Sequence, residues 1–111
     1  MLNKALEIND NLGRIEGIAI SYGYLGSVYQ LSGDLDKAEQ MLNKSLEINE
    51  KLKRLEGIAH DYVNLGAVYK QRSDVKKARE YLDKALDLYM KIGMPHMIEK
   101  VQGLIDGLKD K

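Results

Sequence analysis

Apolar side chains recur along this chain at steps of three, four and seven. Ile18, Tyr22, Leu25 and Tyr29 form one such run, and Ile58, Tyr62, Leu65 and Tyr69 repeat it 40 residues later. That spacing places each run on one face of an α-helix. No segment alternates with period two, so no strand is expected and the chain is predicted to be all-α.

The 40-residue offset extends well beyond these two faces. Residues 1–40 begin MLNKALEIN and residues 41–80 begin MLNKSLEIN, and about 22 of the 40 aligned pairs are identical. A third copy starts at Tyr81 with YLDKALDLY and decays after Gly93. Most of the shared positions are apolar or small, including Leu6/Leu46, Leu25/Leu65, Gly26/Gly66 and Ala38/Ala78. A unit repeated at this period is a supersecondary element that buries its apolar face against its neighbours.

Helix punctuation divides each unit in two. Ser32-Gly33-Asp34 reads as a helix end with Gly in the left-handed position followed by an Asp N-cap, and Arg72-Ser73-Asp74 is the same joint without the Gly. Weaker breakers stand at Leu12-Gly13-Arg14 and Leu52-Lys53-Arg54. At Gly93-Met94-Pro95, Gly ends one helix and Pro suits the first turn of the next. Six antiparallel helices are predicted, near 1–12, 15–32, 34–52, 55–72, 74–92 and 95–109.

The stretch Tyr22-Gly23-Tyr24-Leu25-Gly26-Ser27-Val28-Tyr29, followed by Gly33-Asp34, Ala38, Leu42 and Ser45-Leu46, resembles the tetratricopeptide repeat. The second copy matches at Tyr62, Leu65-Gly66, Tyr69, Ala78, Leu82 and Ala85-Leu86. The period exceeds the family's usual ~34 residues, and Glu50 and Met90 stand where the family's proline would be. This resembles the long-helix variety of the repeat, as in kinesin light chains, cell-polarity adaptors of the LGN type and bacterial regulators. The resemblance implies an α-α superhelix in a single domain. Residues 1–13 would be the second helix of an incomplete repeat, 14–53 and 54–93 two repeats, and 94–111 a C-terminal capping helix. Independently, Gly26 and Gly66 inside helices call for a compensating close approach between helices, because Gly there costs about 1 kcal/mol relative to Ala.

The family usually binds protein or peptide segments on the concave side of the stack, along the first helix of each pair. Periodicity predicts that this side carries Ile20, Gly23, Tyr24, Ser27, Gln30 and Leu31 from one copy and His60, Val63, Asn64, Ala67, Lys70 and Gln71 from the next, with Lys100 and Leu104 beyond. Tyr24, a ring with a polar tip, is the expected anchor. Asn64 has an amide able to donate to and accept from a peptide backbone. In one subclass a Lys/Asn/Arg clamp holds the C-terminal carboxylate of chaperones. Its cation positions here carry Gly23, Tyr24, Val63 and Asn64, so that specificity is not expected.

Composition narrows the function further. Lys plus Arg number 17 and Asp plus Glu 17, a balance that argues against nucleic-acid binding. The basic stretch Lys70, Arg72, Lys76, Lys77, Arg79 is interrupted by Asp74 and Glu80 and reads as a solvated face. With no Cys and two isolated histidines, His60 and His96, no metal site is expected. No nucleophile motif, phosphate loop or paired carboxylates suggest catalysis or a cofactor. No apolar run approaches the roughly 18 residues of a membrane span. A cytoplasmic, non-catalytic protein is expected.

Residues 1–12 correspond to the second helix of a pair. Leu2, Ala5, Leu6, Ile8 and Leu12 would form an exposed apolar edge, covered either by further repeats of a longer array or by a second copy of the chain in a homodimer. Two functions follow. One is an interaction scaffold that holds a partner segment in the groove; the other is an architectural module whose groove is unused.

Overall fold

The computed structural model describes residues 2–108, with side chains from residue 13 onward. Five helices follow one another in antiparallel order: α1 Leu2–Ser32, α2 Leu35–Leu52, α3 Leu55–Gln71, α4 Val75–Ile92 and α5 Pro95–Asp106. α1 pairs with α2 and α3 with α4 as hairpins. α2 packs on α3 and α4 on α5, while α1 also touches α3. The result is an elongated stack, 62 × 32 × 17 Å, and among the described residues there is no strand.

One bond recurs at all four joints. An N–H just past the helix end, two residues on at three joints and three at Asp74, donates to the carbonyl five residues back: Asp34 to Tyr29 (2.9 Å), Arg54 to Asn49 (3.0 Å), Asp74 to Tyr69 (2.9 Å) and Met94 to Tyr89 (3.1 Å). This closure needs a left-handed residue just before it. Gly33 (φ 87°) and Gly93 (φ 82°) take that conformation without steric cost, whereas Lys53 (φ 56°) and Ser73 (φ 64°) adopt it with a Cβ. Asp34 and Asp74 then cap the next helix, accepting from the backbone N–H of Lys37 (3.4 Å) and Lys77 (3.1 Å).

The joint expected around Leu12-Gly13-Arg14 does not form. α1 runs unbroken through Gly13, although the equivalent residues Lys53 and Gly93 both end helices. A break forfeits the helical hydrogen bonds that span it, and packing of one helix back on the other is what offsets that loss. Among the described residues five helices therefore stand where six were predicted. Leu2, Ala5, Leu6, Ile8 and Leu12 lie outside the residues whose side chains are described.

The hairpins are tight because their glycines are. A Cβ at residue 26 would stand 2.6 Å from Leu42 Cγ and 3.4 Å from the Ala38 carbonyl. At residue 66 it would stand 2.9 Å from Leu82 Cγ and 3.4 Å from the Ala78 carbonyl. Around these crossings Ala38 and Leu42 pack with Leu65 and Val68, and Ala78 and Leu82 with Ala85, Tyr89, Val101 and Ile105. Tyr69 stacks on Tyr81 with centroids 5.5 Å apart.

A polar clamp sets how the second hairpin sits on the first. The Tyr69 hydroxyl donates to Glu39. Arg72 donates to Glu39 Oε1 and to Asp36 Oδ1, each at 2.6 Å. Burial pushes the Glu39 carboxyl up, but the bonds from Tyr69 and Arg72 and the charges of Arg72 and Lys77 outweigh it and hold the group below its ordinary 4.5. The same bond raises the Tyr69 hydroxyl to about 12. The basic stretch is thus partly structural: Arg72 and Lys77 also lie 5.2 and 4.9 Å from the Tyr69 ring centroid, and Arg79 donates to the Leu108 carbonyl at 3.4 Å.

Three substitutions test this account by urea unfolding. Gly26→Ala is expected to cost about 1–3 kcal/mol through overpacking, although helix propensity alone favours Ala by about 1 kcal/mol. Gly103→Ala, where an added Cβ meets nothing within 4 Å, should gain up to about 1 kcal/mol. Equal gains at both sites would mean that close approach is not what Gly26 serves. Ser73→Gly, relieving a left-handed residue of its Cβ, should stabilise by about 1 kcal/mol.

Candidate functional site

The first helices of the two hairpins, α1 and α3, lie side by side and line one face of the stack, which carries two open hollows. The first is walled by Ile20, Gly23, Tyr24 and Ser27 of α1, by His60 and Asp61 of α3, and by Met97 and Lys100 of α5. Ser45 and Asn49 of α2 and Tyr89 of α4 reach it from behind. The second is bounded by Gln30 and Leu31 of α1, by Val63, Ala67, Lys70 and Gln71 of α3, and by Leu104 of α5. Gln30 Nε2 donates to Gln71 Oε1 and Gln71 Nε2 to the Gln30 carbonyl, tying the C-terminal ends of α1 and α3 together.

Most residues expected on the concave side meet here. Ile20, Tyr24, Ser27 and His60 share the first hollow; Leu31, Val63, Ala67, Lys70 and Gln71 share the second. Tyr24 is 74% exposed and Leu31 81%, which leaves an aromatic and an aliphatic side chain free at the rim. Asn64 lines neither hollow. It is half-buried, and its amide nitrogen is enclosed without a hydrogen-bond partner.

Behind the first hollow lies a polar cluster not anticipated from the sequence. Asp61 is only 2% exposed. Its Oδ2 accepts from Ser45 Oγ (2.8 Å) and from Asn49 Nδ2 (2.9 Å). Asn49 is oriented in turn by Arg54 Nη1, which donates to its Oδ1 at 2.9 Å, and Arg54 also faces Glu16 at 3.5 Å. Gly57 makes room, since a Cβ there would lie 2.7 Å from Asn49 Cγ. Burial raises the Asp61 carboxyl above its ordinary 3.8; bonds from Ser45 and Asn49 and the charges of His60 and Arg54 oppose that rise without cancelling it. The Tyr89 hydroxyl is pushed up to about 12, first by burial and then by the charges of Glu56 and Asp61.

A sequence clue to this cluster existed in the repeat itself. One period on, Ser45, Asn49 and Asp61 become Ala85, Tyr89 and Val101, all buried in the apolar core. The three positions change character together. Among the described residues no group of three His, Cys, Asp or Glu side chains is placed to hold a metal ion, and no helix is long and apolar enough to cross a membrane.

This arrangement of helical hairpins has a counterpart in the family comparison. The model of the tetratricopeptide repeat matches residues 1–51 and, overlapping them, 17–91. The chain belongs to the tetratricopeptide repeat family. The two matches overlap along the chain, the first spanning the α1–α2 hairpin and the second running from within α1 into α4. Repeats of this family generally mediate protein–protein interaction and are generally non-catalytic. A search of curated proteins finds no match.

The Asp61 cluster makes a signed prediction about pH. An acid whose folded pKa lies above its unfolded value holds more protons when folded, so the stability it adds is fully present below 3.8 and is lost as pH rises through the folded pKa. Glu39, held low, acts in the opposite sense. The effect is therefore isolated by comparing wild type with Asp61→Asn, which lacks this titration. Between pH 3 and pH 7 the variant is expected to gain on the wild type as pH rises and then to run parallel. A difference in urea midpoint that does not vary with pH would show that burial does not govern Asp61.

Proposed function

We propose that the protein is a non-catalytic scaffold that holds a partner segment along the face formed by α1 and α3. The observation that carries this reading is the pair of neighbouring hollows with Tyr24 and Leu31 left exposed beside them. An aromatic with a polar tip and an adaptable aliphatic are the side chains that anchor recognition when a partner desolvates them. A segment lying across both hollows would meet Ile20, Ser27 and His60 at one end and Val63, Ala67, Lys70 and Gln71 at the other. The absence of Cys suits a reducing compartment, and the cytoplasm is the setting we propose. A peptide selected from a displayed library against the folded chain should lose at least tenfold in affinity with Tyr24→Ala, and should be indifferent to Met90→Ala, an exposed side chain on α4. Equal loss in both variants, or none, would count against the groove.

A second reading rests on a different observation. Ile18, Leu25 and Val28 of α1 are 48%, 43% and 54% exposed, whereas their counterparts Ile58, Leu65 and Val68 are 8%, 0% and 0% exposed. Leu65 and Val68 are covered by Ala38 and Leu42 of α2, with Leu46 against them. The sequence around Leu42 and Leu46 recurs almost unchanged around Leu2 and Leu6, so a second copy carries a helix of the matching pattern. In this reading the N-terminal helix of one copy covers the bare face of α1 in another, as a homodimer. Light scattering should then give a species of twice the 12.6 kDa chain mass that reverts to a single chain with Leu25→Glu. A single-chain mass at every concentration would refute it.

A further inference from the structure

The geometry points to a cation-reading niche in the first hollow, where Asp61 Oδ1 receives the ammonium of a lysine or the guanidinium of an arginine carried by the bound segment. This rests on the groove reading above and adds to it the chemistry of one subsite.

Both hydrogen bonds to the Asp61 carboxylate, from Ser45 and Asn49, fall on Oδ2. No donor among the described residues reaches Oδ1. That oxygen faces Gly23 across the gap between α1 and α3, 3.6 Å from where a Cβ on residue 23 would lie, and both residues border the first hollow. Asp61 is only 2% exposed, yet one of its carboxylate oxygens makes no hydrogen bond and is left for a ligand. Burying a charge is costly unless it is paired and hydrogen-bonded. Arg54 and His60 ease that cost only through space, and Lys100, on the α5 rim of the hollow, makes no bond to Asp61.

The second copy supplies an internal control. There Val63 replaces Gly23, and Ala85, Tyr89 and Val101 replace Ser45, Asn49 and Asp61. Val63 packs against the core that contains those three side chains. The same backbone position is thus closed and apolar in one copy but polar in the other, where the glycine leaves space in front of the acid. A charge-assisted donor suits that site best, because hydrogen bonds to a carboxylate from an ionised donor are about twice as strong as neutral ones.

The test is a displayed peptide library selected against the whole chain, followed by synthesis of the selected peptides. The expected peptides carry Lys or Arg at a fixed position. Replacing that residue with Gln should weaken binding at least tenfold to wild type and have little effect on binding to Asp61→Asn or Gly23→Val. Gly23→Val guards against a folding failure at Asp61, because an added Cβ at residue 23 meets its neighbours at ordinary contact distance, 3.5 and 3.6 Å. Peptides that need Tyr24 but are indifferent to the Lys-to-Gln or Arg-to-Gln change would overturn the niche and leave the groove standing. A library yielding no binder would overturn both.

Discussion

Two helices can cross as closely as α1 and α2, or α3 and α4, only if one of them presents no side chain at the crossing. Gly26 and Gly66 meet that requirement, with Leu42 and Leu82 occupying the space a methyl group would take. Other features follow from this contact. It makes each hairpin a unit with a fixed splay, and it repeats at a fixed 40-residue interval, so α1 and α3 come to lie side by side. The groove between them is a product of that spacing. No residue in it had to be chosen to create it.

Repetition also exposes how much of a side chain's role comes from its neighbours. Leu25 and Leu65 occupy the same place in the same sequence pattern, yet one is half-open and the other completely enclosed. In a stack whose units touch only adjacent units, burial belongs to the interface. Fully burying such a side chain is worth about 1.5–3 kcal/mol, so the bare face of α1 forgoes a stabilisation that α3 receives. The Tyr69–Arg72–Glu39 clamp has the same character, joining α3 to α2 across the boundary between units.

Much of this was legible in the sequence because repeats report their own geometry. The 3-4-7 spacing marked the helices, Gly33 and Gly93 marked two of the joints, and helical phase alone brought Tyr24 and His60 together at one hollow and Leu31 and Lys70 at the other. Lys53 was a weak breaker on paper and a firm one in the fold, since the bond from Arg54 to Asn49 makes the left-handed turn worth its strain. Gly13 misled in the opposite direction: a residue free to turn does not turn unless packing beyond it rewards the change. Asn64 had the right phase for the groove, but phase is an angle about the helix axis and does not say what stands in front of the side chain. The Asp61 cluster escaped notice because each member is an ordinary helix-surface residue in isolation. Only a comparison of the two copies, position by position, separates it from the apolar core that replaces it.

The unbroken course of α1 gives the molecule a mechanical property that its shorter helices lack. Its 31 residues make a rod about 46 Å long at 1.5 Å per residue, of which only the C-terminal part borders the groove. Without a hinge at Gly13, both parts share one axis, and a tilt imposed at the N-terminal end is a tilt of the wall that carries Tyr24.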